Sequence, residues 1–168
     1  MEDVRTPRAS RPHMPGYGLL PDDEGTGLLP WSWAAERLEH SHDYWLATIR
    51  EDGRPHVMPV WAVWADGSLW ASSALSSYKA RNLARDGRCT ITTDDALEPV
   101  ILDGHAEIVQ DLDLIGAFLV GMNAKYGTSY EPSFLDPGVN ASFRITPESV
   151  FGLVEEDFTG SPTRWTFD

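Results

Sequence analysis

Cysteine is almost missing from this chain: Cys89 stands alone among 168 residues. An internal disulfide is therefore excluded, and so is a thiolate metal site built from spaced cysteines. Its setting, RCTITT, reads as a buried strand rather than as the surroundings of a reactive thiol. Positive charge is also scarce, with 13 Lys and Arg against 26 Asp and Glu and a formal net charge of −13. Nucleic-acid binding needs a broad basic face, so no nucleic-acid partner is expected, and anionic membranes are disfavoured too. No apolar run approaches the roughly 18 residues that a spanning helix takes. The N-terminus has no signal-peptide core, which makes the cytoplasm the expected location. A nucleophile elbow, a Walker loop and a dinucleotide GxGxxG are all absent. The HSHD run holding His40 and His42 lacks further ligands at metal spacing, so no metal is expected.

Against this acidic background one stretch is basic. Residues Ser72 to Arg88, SSALSSYKARNLARDGR, hold Lys79, Arg81, Arg85 and Arg88 with one acid, Asp86. A local positive field in an acidic chain suits an anionic guest. Ser76 and Ser77 are natural N-caps for a helix whose Ala80, Leu83 and Ala84 share a face. Free N–H groups at that start, with Lys79 and Arg81 beside them, form an anion cradle. An ordinary solvated amphipathic helix would carry the same residues, and the pattern alone does not choose.

The remaining chain is long enough for one domain with a real core. Its seven Trp are many for this length and point to a pocket rim or a subunit interface. Residues 1–30 are proline-rich and read as an N-terminal arm, partly disordered, that then lies along the body or a partner through Tyr17, Leu19, Leu20, Leu28 and Leu29. Residues 31–168 form the domain. A helix capped by Ser32 runs to His40, and DYWLATIR (43–50) is a strand closed by the Glu51–Arg54 turn. The chain returns as PHVMPVWAVWADG (55–67), alternating along its length. Pro59 inside it marks an edge or bulge, which frees the backbone beside Val60 and Trp61. The alternation puts Trp61 opposite Val60 and Trp64 on the same face as Val60. Further strands are expected over Ser68–Ser73, Arg88–Thr93 and Pro99–Val109, the last with a bulge at Gly104. Asp111–Tyr126 reads as a helix ended by Gly127. Residues 128–140 are loop, Ala141–Thr146 and Ser149–Val154 are two closing strands, and GSPTRWTFD is a tail. Short antiparallel strands with frequent turns predict a mainly β fold with α: a barrel whose gaps the helices cover.

The segment YWLATIREDGRPHVMPVWAVWADGSLWASSALSSYKARNLARDGRCTITTDD resembles the split β-barrel flavin and deazaflavin oxidoreductases, the pyridoxamine 5′-phosphate oxidase-like superfamily. Its specific parts are DGRPHVMPVW, the S-x-KARNL helix start and the closing SPTRW-x-F, and the likeness spans about residues 31–168. Within the superfamily it is most similar to the branch that uses coenzyme F-420, a deazaflavin typical of actinobacteria. The resemblance implies an antiparallel Greek-key, FMN-binding-like split barrel and a homodimer with sites at the interface. It implies a reductase that passes a hydride from F-420 to a small conjugated acceptor such as an enone, quinone or imine. Met58, Pro59, Val60 and Trp61 would line the ring, and Ser72 and Ser73 would flank the ribityl chain. Lys79 and Arg81 would hold the phosphate, Asn82 would orient it, and Trp165 and Arg164 would reach the ring from the tail, across the dimer. Relatives that bind FMN often carry Arg where this chain has Tyr78, which counts against the FMN alternative. A non-catalytic cofactor or haem carrier, with His56 or His105 as axial ligand, is the third reading. A proton must follow the hydride, from Tyr126, His56, His105 or solvent. Loops 94–99 and 127–140 would choose the substrate.

Overall fold

The computed structural model describes residues 6–167. Within them nine strands form one branched antiparallel sheet with three α-helices. The first strand, β1 (Arg8–Ser10), precedes helix α1 (Trp31–His40). Ser32 is not its cap: Pro30 holds that position and no side chain bonds the helix start. Strand β2 (Tyr44–Ile49) buries Tyr44, Leu46 and Thr48 and turns Trp45 outward, as a half-buried strand should. Gly53, at φ 83°, closes the hairpin to β3 (Pro55–Val60), which ends the sheet as an edge strand. Pro59, with no N–H to give to a ladder, is tolerated there.

The alternating run 55–67 is not continuous. It breaks at Trp61 and Ala62, and β4 (Val63–Ala65) leaves β2 to pair with β5 (Ser68–Ala74). Helix α2 (Tyr78–Arg85) follows β5, and Ser77 Oγ accepts the Ala80 N–H at 3.1 Å as its cap. Then come β6 (Arg88–Thr93), β7 (Val100–Val109) and α3 (Leu112–Tyr126). Asp111 caps α3 at its start and left-handed Gly127 ends it.

The two expected closing strands are one, β8 (Asn140–Gly152). Pro147 does not interrupt it, because it pairs with Gly104, where the register of β7 shifts. A Cβ on Gly104 would lie 2.4 Å from the Thr146 carbonyl oxygen, so the crossing needs glycine. One half of β8 pairs with β5 and the other with β9 (Thr163–Thr166), which splits the sheet around it.

The expected tail therefore contains a strand, and β1 pairs with that strand from Arg8–Thr166 to Ser10–Arg164. Beyond β1 the N-terminal segment is fastened by Arg11, whose guanidinium donates to the carbonyls of Leu20, Pro21 and Pro162. The expected mobile start falls partly on residues 1–5, outside the described residues. The main core gathers Leu38, Leu46, Leu69, Ile91, Leu102, Phe143, Ile145, Val150 and Trp165. A second cluster packs Ile115, Phe118, Leu119 and Met122 of α3 against Trp70. No helix among the described residues is long and apolar enough to cross a membrane.

Candidate functional site

Local chemistry sorts the four cations of the basic stretch. Arg88 is spent on Asp86 at 2.6 Å, and the Arg85 guanidinium donates to the Ile49 carbonyl. Lys79 and Arg81 form no ion pair among the described residues. They sit in the first turn of α2, where unbonded N–H groups and the positive end of the helix dipole also point outward. Ser73 Oγ donates to Ser77 Oγ at 2.8 Å and so ties the end of β5 to the cap. Its neighbour Ser72 pairs with Ser142 across β5 and β8.

Tyr78 adds a platform. The Arg81 guanidinium lies 4.9 Å and that of Arg50 5.8 Å from its ring centroid, with the His56 ring 5.7 Å away on the β3 side. Cations over an exposed phenol face are held loosely and stay available to an anion. Burial first, then Arg50 and Lys79, hold His56 below the usual imidazole range.

From His56 the edge strand leads to Trp61, roughly 16 Å of extended chain. Met58 and Trp61 are exposed along it, Pro59 is exposed, and Val60 points into the core. Trp45 and Val57, also exposed, share the other face of the hairpin with Pro59. At its far end Trp61 stacks on Tyr126, the last residue of α3, with centroids 4.2 Å apart. The site thus has a cationic end, a flat aromatic end, and a strand edge with free backbone groups between them. Those features fit a phosphorylated planar group: cations for the phosphate and an apolar wall with few polar anchors for a ring.

Two expected members, Asn82 and Trp165, stand elsewhere, and a third, Arg164, is not at the cradle within one chain. Asn82 is 4 % exposed, and its amide donates to Thr48 Oγ1 at 3.0 Å, so it fastens α2 to β2 and does not orient a phosphate. Trp165 is fully buried in the core of its own chain between Trp31 and Trp33, because β9 is a sheet strand and its alternation turns that ring inward. Arg164 alternates outward and donates to Ser149 Oγ at 3.2 Å. In the sheet order β9 is separated from β2 and β3 by β8, β7 and β6, so Arg164 is not brought to the cradle within one chain.

Tyr126 is no free acid. Its hydroxyl accepts the Ala62 N–H at 2.9 Å and donates to the His42 carbonyl at 2.7 Å. Burial pushes the phenol up to about 12. His105 faces solvent on β7, opposite Arg88. Burial pushes the Cys89 thiol up to about 12 as well, which makes it inert. Sequence reasoning missed Trp45 and Lys125. The alternation around Trp45 announces an exposed indole, whereas nothing local marks Lys125. A cavity of 480 Å³ lies apart from the cradle, between α1 and the β6–β7 turn, lined by Glu36, Arg37, His40, Asp94, Asp95 and Glu98. Its excess of carboxylates suits no phosphate.

The branched antiparallel sheet with its helix-covered gaps is a split barrel. The chain belongs to the pyridoxamine 5′-phosphate oxidase family, whose profile matches residues 33–153. Among solved structures it is similar to the conserved hypothetical protein Rv2991 from Mycobacterium tuberculosis, at 24 % identity and TM-score 0.65, over 82 % of this chain and 85 % of that one. It is similar to an F420 reductase at 24 % identity and TM-score 0.57, over 68 % and 93 % of the two chains. A haem-binding protein from Mycobacterium smegmatis is similar at 20 % identity and TM-score 0.55, over 79 % and 62 %. At these identities the likeness is one of fold. A comparison with curated proteins gives no match.

Proposed function

We propose that this chain is a reductase that holds the deazaflavin coenzyme F-420 along β3 and passes its hydride to a small conjugated acceptor. The observation that carries the reading is the pair of cations, Lys79 and Arg81, without an ion-pair partner among the described residues, at the capped start of α2 beside an open strand edge. Lys79 and Arg81 would take the phosphate, with Ser73 at the cradle's edge, and Arg50 would meet further anionic groups of the tail. Met58 to Trp61 would form the wall along the ring. The coenzyme, when bound, supplies a two-electron hydride donor. The protein's part is to align the acceptor and leave the following proton to solvent, since the Tyr126 hydroxyl is engaged.

A homodimer belongs to the proposal. The β2–β3 edge exposes Trp45, Val57, Met58 and Trp61, and within one chain the strip is open to solvent. A second copy would cover it and close the site. The fold shared with the F420 reductase neighbour, at 24 % identity, supports the choice of cofactor.

Titration of the purified protein with F-420, FMN and haem, followed by tryptophan quenching and Soret absorbance, tests the reading. F-420 is expected to bind tightest and to reduce a quinone or enone in the panel. Tight FMN binding with none of F-420 overturns the cofactor. Good F-420 binding without hydride transfer to any acceptor makes the protein a carrier instead.

A further inference from the structure

The one buried nitrogen of His56 with no partner leads beyond the cradle's known cations. His56 Nδ1 is shut off from solvent with no partner among the described residues, while the residue as a whole is half-buried and Nε2 is not among the buried unpartnered atoms. A buried N–H without an acceptor is costlier than a buried lone pair facing apolar atoms, so the proton of the neutral ring belongs on Nε2. Burial first, then the charged groups facing His56, favour the neutral ring. Lys79 and Arg50 are positive, the Tyr78 ring lies 5.7 Å away, and Thr48 is opposite in the β2–β3 register with its hydroxyl on the Asn82 amide. In the adjoining turn Glu51, Asp52 and Arg54 are exposed, with Arg54 against Asp52.

We propose that His56 is an anion-binding residue of the cradle, a neutral donor whose Nε2–H bonds a phosphate oxygen of the guest that Lys79 and Arg81 hold. The inference rests on the anion cradle proposed above and adds a residue and a protonation state to it. Binding is then linked to protons. An anion screens Lys79 and Arg50 from the ring, so the imidazole becomes easier to protonate and its titration moves upward in pH. A dianionic phosphate binds slightly better as the pH falls toward the range where the ring charges.

Inorganic pyrophosphate is the probe, with ¹⁵N-detected NMR of the histidine rings assigned through His56→Gln. The free protein at pH 7.5 is expected to show the Nε2–H tautomer, and pyrophosphate is expected to shift Nε2 and raise the titration midpoint. His56→Leu should weaken pyrophosphate binding about three- to tenfold, the scale of one lost hydrogen bond, and His56→Gln should restore most of it because its amide N–H stands near Nε2–H. An Nδ1–H tautomer or a cation in the free protein overturns the proposal, as does wild-type binding by His56→Leu. If Lys79→Ala weakens pyrophosphate binding and His56→Leu does not, only the role of His56 falls. If neither variant changes it, the cradle falls and this inference with it.

Discussion

Trp61 and Tyr126 lie face to face, their planes within 3° and their centroids 4.2 Å apart. Trp61 occupies the break between β3 and β4, and Tyr126 bonds the next residue's N–H while its own proton goes to His42. The last turn of α3 thus fixes the aromatic end of the site. Tyr126→Phe keeps the stack but orphans the Ala62 N–H, and is expected to cost about 1 kcal/mol of stability. Tyr126→Leu also frees the indole, so it should shift the tryptophan emission and weaken cofactor binding more than the Phe variant. Denaturant melts and binding isotherms check both. Equal loss of cofactor affinity in the two variants would separate the stack from the site.

Lys79, with no ion-pair partner among the described residues, predicts a loss confined to binding. Lys79→Ala should weaken F-420 binding by about 1.5–3 kcal/mol, the scale of one charge-assisted hydrogen bond, with the melting curve unchanged. Ser32→Ala is the control, because Ser32 is exposed and caps nothing; its effect on stability should stay within about 0.5 kcal/mol. Added salt should weaken wild-type binding more than it weakens Lys79→Ala. A Lys79→Ala loss no larger than that of the control removes the phosphate role.

What was legible in the sequence was whatever side chains decide within a few residues. Ser77 caps α2, Asp111 and Gly127 bound α3, and Gly104 marks the bulge, each by contacts no further than the next turn or strand. The barrel followed from short strands with frequent turns, and its split form from the family resemblance. The β3–β4 break was legible only in part: Pro59 marked an edge and a freed backbone beside Val60 and Trp61, but the alternation runs on through Trp61 and Ala62. There Ala62 turns to α3, its N–H bonding the Tyr126 hydroxyl 64 residues further on and its carbonyl accepting from Lys125. Pro147 looked like a strand end because its tolerance depends on a glycine in another strand. Asn82 looked like a ligand because its partner, Thr48, lies on β2. Trp165 looked like a tail residue because β1, which pairs with β9, comes from the other end of the chain.

Burial turns Trp165 into a stability residue. Trp165→Ala should cost about 3–5 kcal/mol, the usual result of emptying a core aromatic site. Trp165→Phe should cost less, since it also deletes an indole N–H that has no partner. At temperatures where the Phe variant is folded, its F-420 affinity should match wild type. A selective loss of affinity with unchanged stability would return Trp165 to the site.

Lys125 supplies a pH dependence whose sign is fixed by burial. Its Nζ donates to the Tyr44 hydroxyl and the Ala62 carbonyl, both at 2.8 Å, under the Trp61 break. Burial pulls its pKa down to about 8, with Glu39 and Asp43 opposing. In the unfolded chain the amine titrates near its usual value of 10.5. Between pH 8 and 10.5 the unfolded state therefore binds more protons, and stability rises with pH. Tyr126 and Tyr44, both pushed up by burial, act oppositely above pH 10, where their unfolded forms ionise first. The window for Lys125 is pH 8 to 10. There the wild type should gain on the order of 1 kcal/mol over Lys125→Met, after discounting for the half-exposed side chain. Denaturation midpoints at pH 8.0 and 9.5 for both proteins measure it. Parallel pH profiles would show that the amine titrates alike in the folded and unfolded chain, and that the hydrogen bonds to Tyr44 and Ala62 do not depend on its charge.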